Sequence, residues 1–205
     1  MPRIRAASID EHKALTRSAL LAAARALIES DGTAEISLGE IALAAGVGRT
    51  TFYDYFTDRE DVIASLVEEE LPFVLERLIY SVPTSLPIAD RLAALAVATI
   101  EFVATDQVFG VILHREAGRM GPDAQVRIRA SHAQLSRELT GLYLEGANLG
   151  LFRSMPAVIA GRLIQDTVMS GARLLILGAA DLDEVVVHVR RFLLGGLGFV
   201  PLTNM

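Results

Sequence analysis

No cysteine occurs among the 205 residues, and that single absence removes disulfides, thiolate metal sites, a cysteine nucleophile and thiol redox sensing together. No charge-free apolar run approaches the roughly 18 residues that a membrane helix needs. The N-terminus, with Arg3, Arg5, Asp10, Glu11 and Lys13, lacks the apolar stretch of a signal peptide. The expectation is therefore a soluble, cytoplasmic protein with no membrane partner. Enzyme signatures are missing too. His114-Arg115-Glu116 lacks the second histidine of a zinc-protease helix, and no G-x-S-x-G elbow, Walker loop or G-x-G-x-x-G sequence is present. The four histidines, His12, His114, His132 and His188, are scattered along the chain, so no metal site is assembled locally. Neither catalysis nor a cofactor is expected. An excess of positive charge is also lacking: the net charge is −6, and residues 1–60 hold seven basic against nine acidic side chains. Any affinity for nucleic acid must come from where the charges lie, because their sum repels phosphates.

What is present is apolar and helical. Hydrophobic residues make up 52% of the chain and the mean hydropathy is +0.41, enough to bury a sizeable core. There is no strand-like alternation and no internal repeat. Ser37 followed by Glu40 is a capping box, which starts a helix at Leu38. Leu38, Ile41, Ala42 and Ala45 share one face at helical spacing, and Gly46 supplies the left-handed conformation that ends the helix. Val47, Phe52 and Phe56 then place an apolar stripe inward on a second short helix. Arg49, Thr50, Asp54 and Tyr55 are left pointing outward.

Two short helices around a tight turn are what a helix-turn-helix reader requires, and the outward residues suit DNA. Arginine forks onto guanine edges, a threonine methyl meets a thymine methyl, and an aspartate accepts from a cytosine amine. The hydroxyls of Thr51, Tyr53 and Tyr55 can donate to phosphates. A surface helical hairpin would share the capping box and the glycine, so the wider pattern has to decide.

Ungapped from about Leu20 to Val62, the chain resembles the N-terminal domain of the TetR family of transcriptional regulators. Leu20-Leu21-x-Ala23-Ala24 with Leu27-Ile28 and Gly32 is similar to that family's first helix and its terminating glycine. Ile41-Ala42 with Ala45-Gly46-Val47 resembles the second helix and turn. Thr51-Phe52-Tyr53-x-Tyr55-Phe56 resembles the recognition helix and its exit, and Asp58-Arg59-Glu60 the start of the fourth helix. Two positions depart from the pattern. Gly48 stands where a capping serine is common, which weakens the cap by a few tenths of a kcal/mol. Ile36 stands where a threonine often precedes the capping residue, so one phosphate contact is missing. Arg59 in place of the usual lysine keeps the charge and can hold a phosphate with two bonds.

The resemblance implies an all-α protein: an N-terminal three-helix helix-turn-helix DNA-binding domain over residues 1–57, then a C-terminal helical ligand-binding and dimerisation domain over 58–205. It implies a repressor that binds a double-stranded DNA operator as a homodimer and is released by a small, largely apolar effector. The candidate DNA-binding residues are Ser37, Arg49, Thr50, Thr51, Tyr53, Asp54, Tyr55 and Arg59, with Arg49, Thr50 and Asp54 reading bases. Arg3, Arg5, Lys13, Arg17, Arg49 and Arg59 can gather on one face while Glu29, Asp31 and Glu35 lie at the far end of the first helix and its loop.

Prolines and glycines punctuate the remainder. Asp58 caps a helix through Val62, Leu66 and Glu69, which Pro72 is expected to kink or interrupt before Tyr80. Pro87 opens a helix from Ile88 to about Thr105, and Asp106 caps one to about Ala117. Pro122 and Asp123 open a long one to about Ala147. The last two run from about Pro156 to Gly178 and from Asp181 to about Leu197, about nine helices in all. This last pair carries Ala160, Gly161, Gly171, Ala172, Gly195 and Gly196; in the resembling family it packs against its twin, while the alternative is that these are internal core helices. Candidate effector-pocket residues are Phe102, Phe109, Leu113, Tyr143, Phe152 and Met169, with His114, Gln165 and Asp166 as polar interruptions. Apolar residues at this spacing also suit a plain core, and Arg162 with Asp166 suits a surface ion pair. The rival to a regulator is a helical binding or scaffolding protein. It would have no use for Thr51, Tyr53 and Arg59 at phosphate-holding spacing.

Overall fold

A computed structural model describes the backbone of residues 2–31 and 36–199, and the side chains of these except residues 2–8 and Gln107. Gly32, Glu35 and the side chains of Arg3 and Arg5, singled out above, lie outside the described residues. Among the described residues ten α-helices run in order: α1 Pro2–Asp31, α2 Leu38–Ala44, α3 Arg49–Phe52, α4 Arg59–Ser81, α5 Ile88–Thr105, α6 Gln107–Val111, α7 Pro122–Ser131, α8 Ala133–Asn148, α9 Ala157–Ile176 and α10 Leu182–Gly196. No strand occurs among the described residues. The chain is all-α, and no single described helix is long and apolar enough to cross a membrane.

The chain divides into two compact units, one of Met1–Glu70 with Gln107–Arg129, the other of Leu71–Asp106 with Ala130–Met205. In the first unit Leu20, Ala24 and Ile28, one face of α1 at helical spacing, are fully buried together with Ile41, Phe52, Val62, Ile63 and Phe109. Arg25 of α1 reaches Glu70 at 2.6 Å and lies 5.5 Å from the centroid of the Phe109 ring, which ties α1 to α4 and α6. In the second unit α5, α8, α9 and α10 pack on one another around Leu92, Leu95, Ile100, Leu139, Tyr143 and Ile164.

Glycines at this core set how closely the helices approach. A Cβ on Gly161 would stand 2.6 Å from the Thr140 hydroxyl of α8, and one on Gly171 would stand 2.8 Å from Val189 of α10 and 3.0 Å from Ile100 of α5. Together with Ala160 and Ala172, which are fully buried, they serve packing inside the unit. The outward face of the last two helices is instead formed by large residues, among them Val158, Leu163, Leu177 and Phe192, all exposed.

Three helix expectations are corrected. Of the kink or interruption expected at Pro72, the interruption does not occur: the ring removes one hydrogen bond to the carbonyl of residue 68, and the helix continues between buried Leu71 and Leu75. The run after Asp106 is not one α-helix, because it widens to a π-helical turn at Ile112–Glu116 and tightens to a 3₁₀ turn at Ala117–Arg119. The helix expected over 122–147 is two, α7 ending at Ser131 and α8 beginning at Ala133, with His132 between them at a φ of −88° and a ψ of −3°. No proline or glycine marks that break. Elsewhere the punctuation places the ends: the Asp181 carboxylate accepts from the Glu184 N–H at 2.8 Å, and Gly178 takes a φ of +64°.

Candidate nucleic-acid interface

The helix-turn-helix is built as its caps dictate. The Ser37 hydroxyl accepts from the Glu40 N–H at 3.2 Å and the Glu40 carboxylate accepts from the Ser37 N–H at 2.8 Å, both halves of the box. These bonds, the Ser37 contacts above all, hold the Glu40 carboxyl below its usual range. At the other end Gly46 adopts a φ of +70°, and the N–H of Val47 donates to the Ala42 carbonyl at 2.9 Å while that of Gly46 donates to Leu43 at 3.1 Å. The two bonds close a Schellman-type turn. Ile41 and Ala42 are buried; Leu38, Ala45 and Val47 are half-buried.

Gly48 then occupies the N-cap of α3 with extended backbone and no side-chain bond. The helix is only four residues long, and it is carried into a turn by N–H donation from Tyr55 and Phe56 back to the Phe52 carbonyl, at 3.0 and 3.1 Å. Phe52 and Phe56 are the anchors, 0% and 2% exposed, with ring centroids 5.7 Å apart. The Arg17 guanidinium covers the Phe56 ring at 5.2 Å and also pairs with Glu69. Arg17 thus contributes to packing as well as to charge.

With two phenylalanines holding the segment from inside, Arg49, Thr50, Tyr53 and Asp54 are exposed, as is Ser37, while Thr51, Tyr55 and Arg59 are half-buried. Tyr55 does not stand wholly outward, because with Asp54 it lines a groove whose opposite wall is Lys13, Ala14 and Arg17 of α1. Two cations, a phenol and a carboxylate therefore meet at one groove of the reading head, beside the exposed residues of α3. Lys13 and Arg17 thus share one groove, where Arg17 is also paired with Glu69.

The start of α4 is fixed with unusual thoroughness. Asp58 accepts from the Asp61 N–H at 2.8 Å, and Asp61 in turn accepts from the Thr57 N–H at 2.9 Å and from its hydroxyl at 3.3 Å. Arg127 of α7 reaches the same carboxylate at 2.7 Å, forks onto Glu68 at 2.9 and 2.6 Å, and donates to the Ser65 hydroxyl at 2.7 Å. Glu60 accepts from the Gly121 N–H at 2.8 Å just before α7 begins. Partial burial pushes the Asp61 carboxyl up, but the Thr57 and Arg127 bonds outweigh it and the group lies below its ordinary range. Arg127 is held above its ordinary value, chiefly by Glu68. Arg59 lies in the stretch of backbone that this lattice secures, and nothing in the local sequence announces Arg127, which stands 59 residues from Glu68.

The candidate effector residues are divided between the two units. Phe109, Leu113 and His114 belong to the first unit, whereas Phe102, Tyr143, Phe152, Gln165, Asp166 and Met169 belong to the second. Phe109 is buried against Arg25, and His114 sits half-buried in the π-helical turn. Tyr143 and Phe152 are stacked, and the Tyr143 hydroxyl accepts from the Met155 N–H at 2.9 Å while facing the Arg153 and Met155 carbonyls. They secure the connection between α8 and α9. Gln165 donates to Ser136, and Asp166 is an exposed partner of Arg162 at 2.8 Å.

Residues 20–66 match the family of bacterial regulatory proteins named for TetR, and residues 85–173 match the tetracycline repressor-like C-terminal domain. The chain belongs to the TetR family and is a transcriptional regulator of that family. Among its relatives, the HTH-type transcriptional regulator EthR of Mycolicibacterium smegmatis is 45% identical over 51 residues, 25% of this chain and 24% of EthR. An HTH-type transcriptional regulator of Mycobacterium bovis is 25% identical over 178 residues, 82% of this chain and 92% of that one. The chain thus spans about a quarter of EthR and nearly all of the second relative. The crystal structure of FadR from Bacillus subtilis in complex with stearoyl-CoA superposes with a TM-score of 0.75 at 21% identity, over 87% of this chain and 98% of FadR, a likeness of fold.

Proposed function

We propose that the protein is a repressor that holds a double-stranded DNA operator as a homodimer and lets it go when a small molecule binds the C-terminal domain. Residues 1–57 read DNA and residues 58–205 bind the effector and the partner copy. The observation that carries the reading is the four exposed side chains of the recognition segment, Arg49, Thr50, Tyr53 and Asp54, standing on a core of two buried phenylalanines. Arg49, Thr50 and Asp54 contact base edges; Thr51, Tyr53, Tyr55 and Arg59 hold phosphates, with Ser37 at the N-terminus of α2.

Dimerisation is supported by α9, its C-terminal end and α10, where Val158, Ile159, Leu163, Leu177, Val187 and Phe192 are large apolar side chains left exposed. A two-fold operator asks for the same symmetry of its reader. Release by a ligand is supported by the presence of stearoyl-CoA on a FadR of the same fold; an effector acts only through the difference in its affinity for the DNA-competent and DNA-incompetent arrangements. The protein acts where its operator is, in the cytoplasm.

Fluorescence anisotropy with a labelled duplex at two salt concentrations tests this. Binding that weakens as salt rises is the expected result. Absence of binding at low salt, or binding indifferent to salt, removes the regulator reading.

A further inference from the structure

Within the second unit, the end of α4, the start of α5 and the face of α8 enclose a cleft of about 320 Å³. Its floor is apolar, formed by Ile79, Val82, Leu95 and Leu142, with the exposed Tyr80 ring at the rim. Besides the Tyr80 hydroxyl, four polar side chains line it: Thr84, Arg91, Gln134 and Glu138. Arg91 is only 20% exposed, yet it comes no nearer than 4.0 Å to Glu138 or to Glu145. That distance is an ion pair and too long for a hydrogen bond. Among the described residues the Arg91 guanidinium therefore has no hydrogen-bond acceptor, and the Glu138 carboxylate facing it has no donor.

We propose that this cleft binds a small uncharged molecule with an apolar body and a hydroxyl group, an alcohol or a phenol, whose oxygen sits between Arg91 and Glu138. One oxygen accepting from Arg91 and donating to Glu138, with bonds of about 2.8 Å each at a bent centre, spans roughly 4 to 4.5 Å. The observed gap lies at the near end of that range. Charge sets the class. Within the cleft the Arg91 charge is already matched by Glu138, and Glu145 outside the lining stands at the same distance, so an anion meets net repulsion while a neutral hydroxyl finds both a donor and an acceptor. Size narrows it further, because 320 Å³ is at the low end for ligand sites and admits a ring or a short chain rather than a long acyl group. Binding here stands on the cleft alone; its role in releasing DNA rests on the effector reading above.

The chain has four tyrosines, so the full-length protein labelled with 3-fluorotyrosine gives four fluorine resonances, and Tyr80→Phe assigns the one at the rim. Titration with 4-ethylphenol should move the Tyr80 resonance saturably and leave that of buried Tyr143 in place, while 4-ethylbenzoate binds at least about tenfold more weakly. Arg91→Met should weaken the phenol by a similar factor. Glu138→Gln should raise the affinity for 4-ethylbenzoate, since the repelling charge is gone, and this holds even if Arg91→Met fails to fold. No saturable shift at Tyr80, benzoate binding tighter than phenol to the unaltered protein, or no gain with Glu138→Gln overturns the proposal. DNA binding measured in the same samples separates the two readings. A Tyr80 shift with DNA still bound supports the cleft and removes only its part in release.

Discussion

Arg127 and Glu68 meet fork to fork, Nε on one carboxylate oxygen at 2.9 Å and a terminal nitrogen on the other at 2.6 Å, joining α7 to the third turn of α4. The same guanidinium reaches Asp61, about two turns nearer the start of α4. Arg127→Met leaves Asp61 and Glu68 facing one another without their shared cation. After screening at these half-exposed side chains the loss is about 1 to 2 kcal/mol, or roughly 2 to 8 °C of Tm for a chain this size. Thermal unfolding by circular dichroism reads it directly. An unchanged Tm would mean that the tie contributes nothing.

Acid loosens the same tie. The Asp61 carboxyl lies below its ordinary range in the folded protein, so its contribution is complete above the unfolded-state value of about 3.9 and disappears as pH falls through the depressed folded value. Amide exchange at Thr57, whose N–H donates to Asp61, should stay protected from neutral pH down to about 4 and lose protection below it. Asp61→Asn, which cannot carry that charge, should remove the pH dependence; an identical acid limb in the variant would assign the effect to another group.

Base reading and phosphate holding separate by mutation. Replacing Arg49 with alanine should flatten preference at one position in each half-site, at about 1 to 3 kcal/mol for the favoured base. Tyr53→Phe should weaken every sequence by a similar factor and leave the ranking intact. Anisotropy across a set of single-base operator variants distinguishes the patterns. Uniform weakening by both would refute the assignment of roles.

Two glycines on α8 should respond with opposite sign. A methyl group on Gly146 would come 2.3 Å from the Phe152 ring, a contact that requires the ring to move, whereas nothing lies within 4 Å of the corresponding point on Gly141. Gly146→Ala should cost about 1 to 3 kcal/mol by overpacking the Tyr143–Phe152 stack. Gly141→Ala should gain about 0.5 to 1 kcal/mol by restricting the unfolded chain within a helix. Urea midpoints of the two variants on either side of the parent are the expected result.

Helix ends written in local chemistry were legible in the sequence. The Ser37–Glu40 box, the Gly46 turn, the Asp58 and Asp181 caps and the prolines before α5, α7 and α9 all act within four residues, so spacing alone exposes them. The break at His132 and the π-helical turn at Ile112–Glu116 carry no such mark, since they answer to packing across the fold. Pro72 shows the converse: a strong local stop signal does not end the helix, which continues between buried Leu71 and Leu75. The reading face followed from Phe52 and Phe56, whose burial turns their neighbours outward. Side chains joined over long separations, such as Arg127 with Glu68 and Arg91 with Glu138, leave no spacing to read.

The brevity of α3 has an evolutionary consequence. Its hold on the fold passes through Phe52 and the Phe56 that follows it, while Arg49, Thr50 and Asp54 are exposed. Those three positions can be rewritten with little effect on folding, so, with the base-reading roles proposed for them, a duplicated copy of this chain can acquire a new operator through surface substitutions before anything in its core has to change.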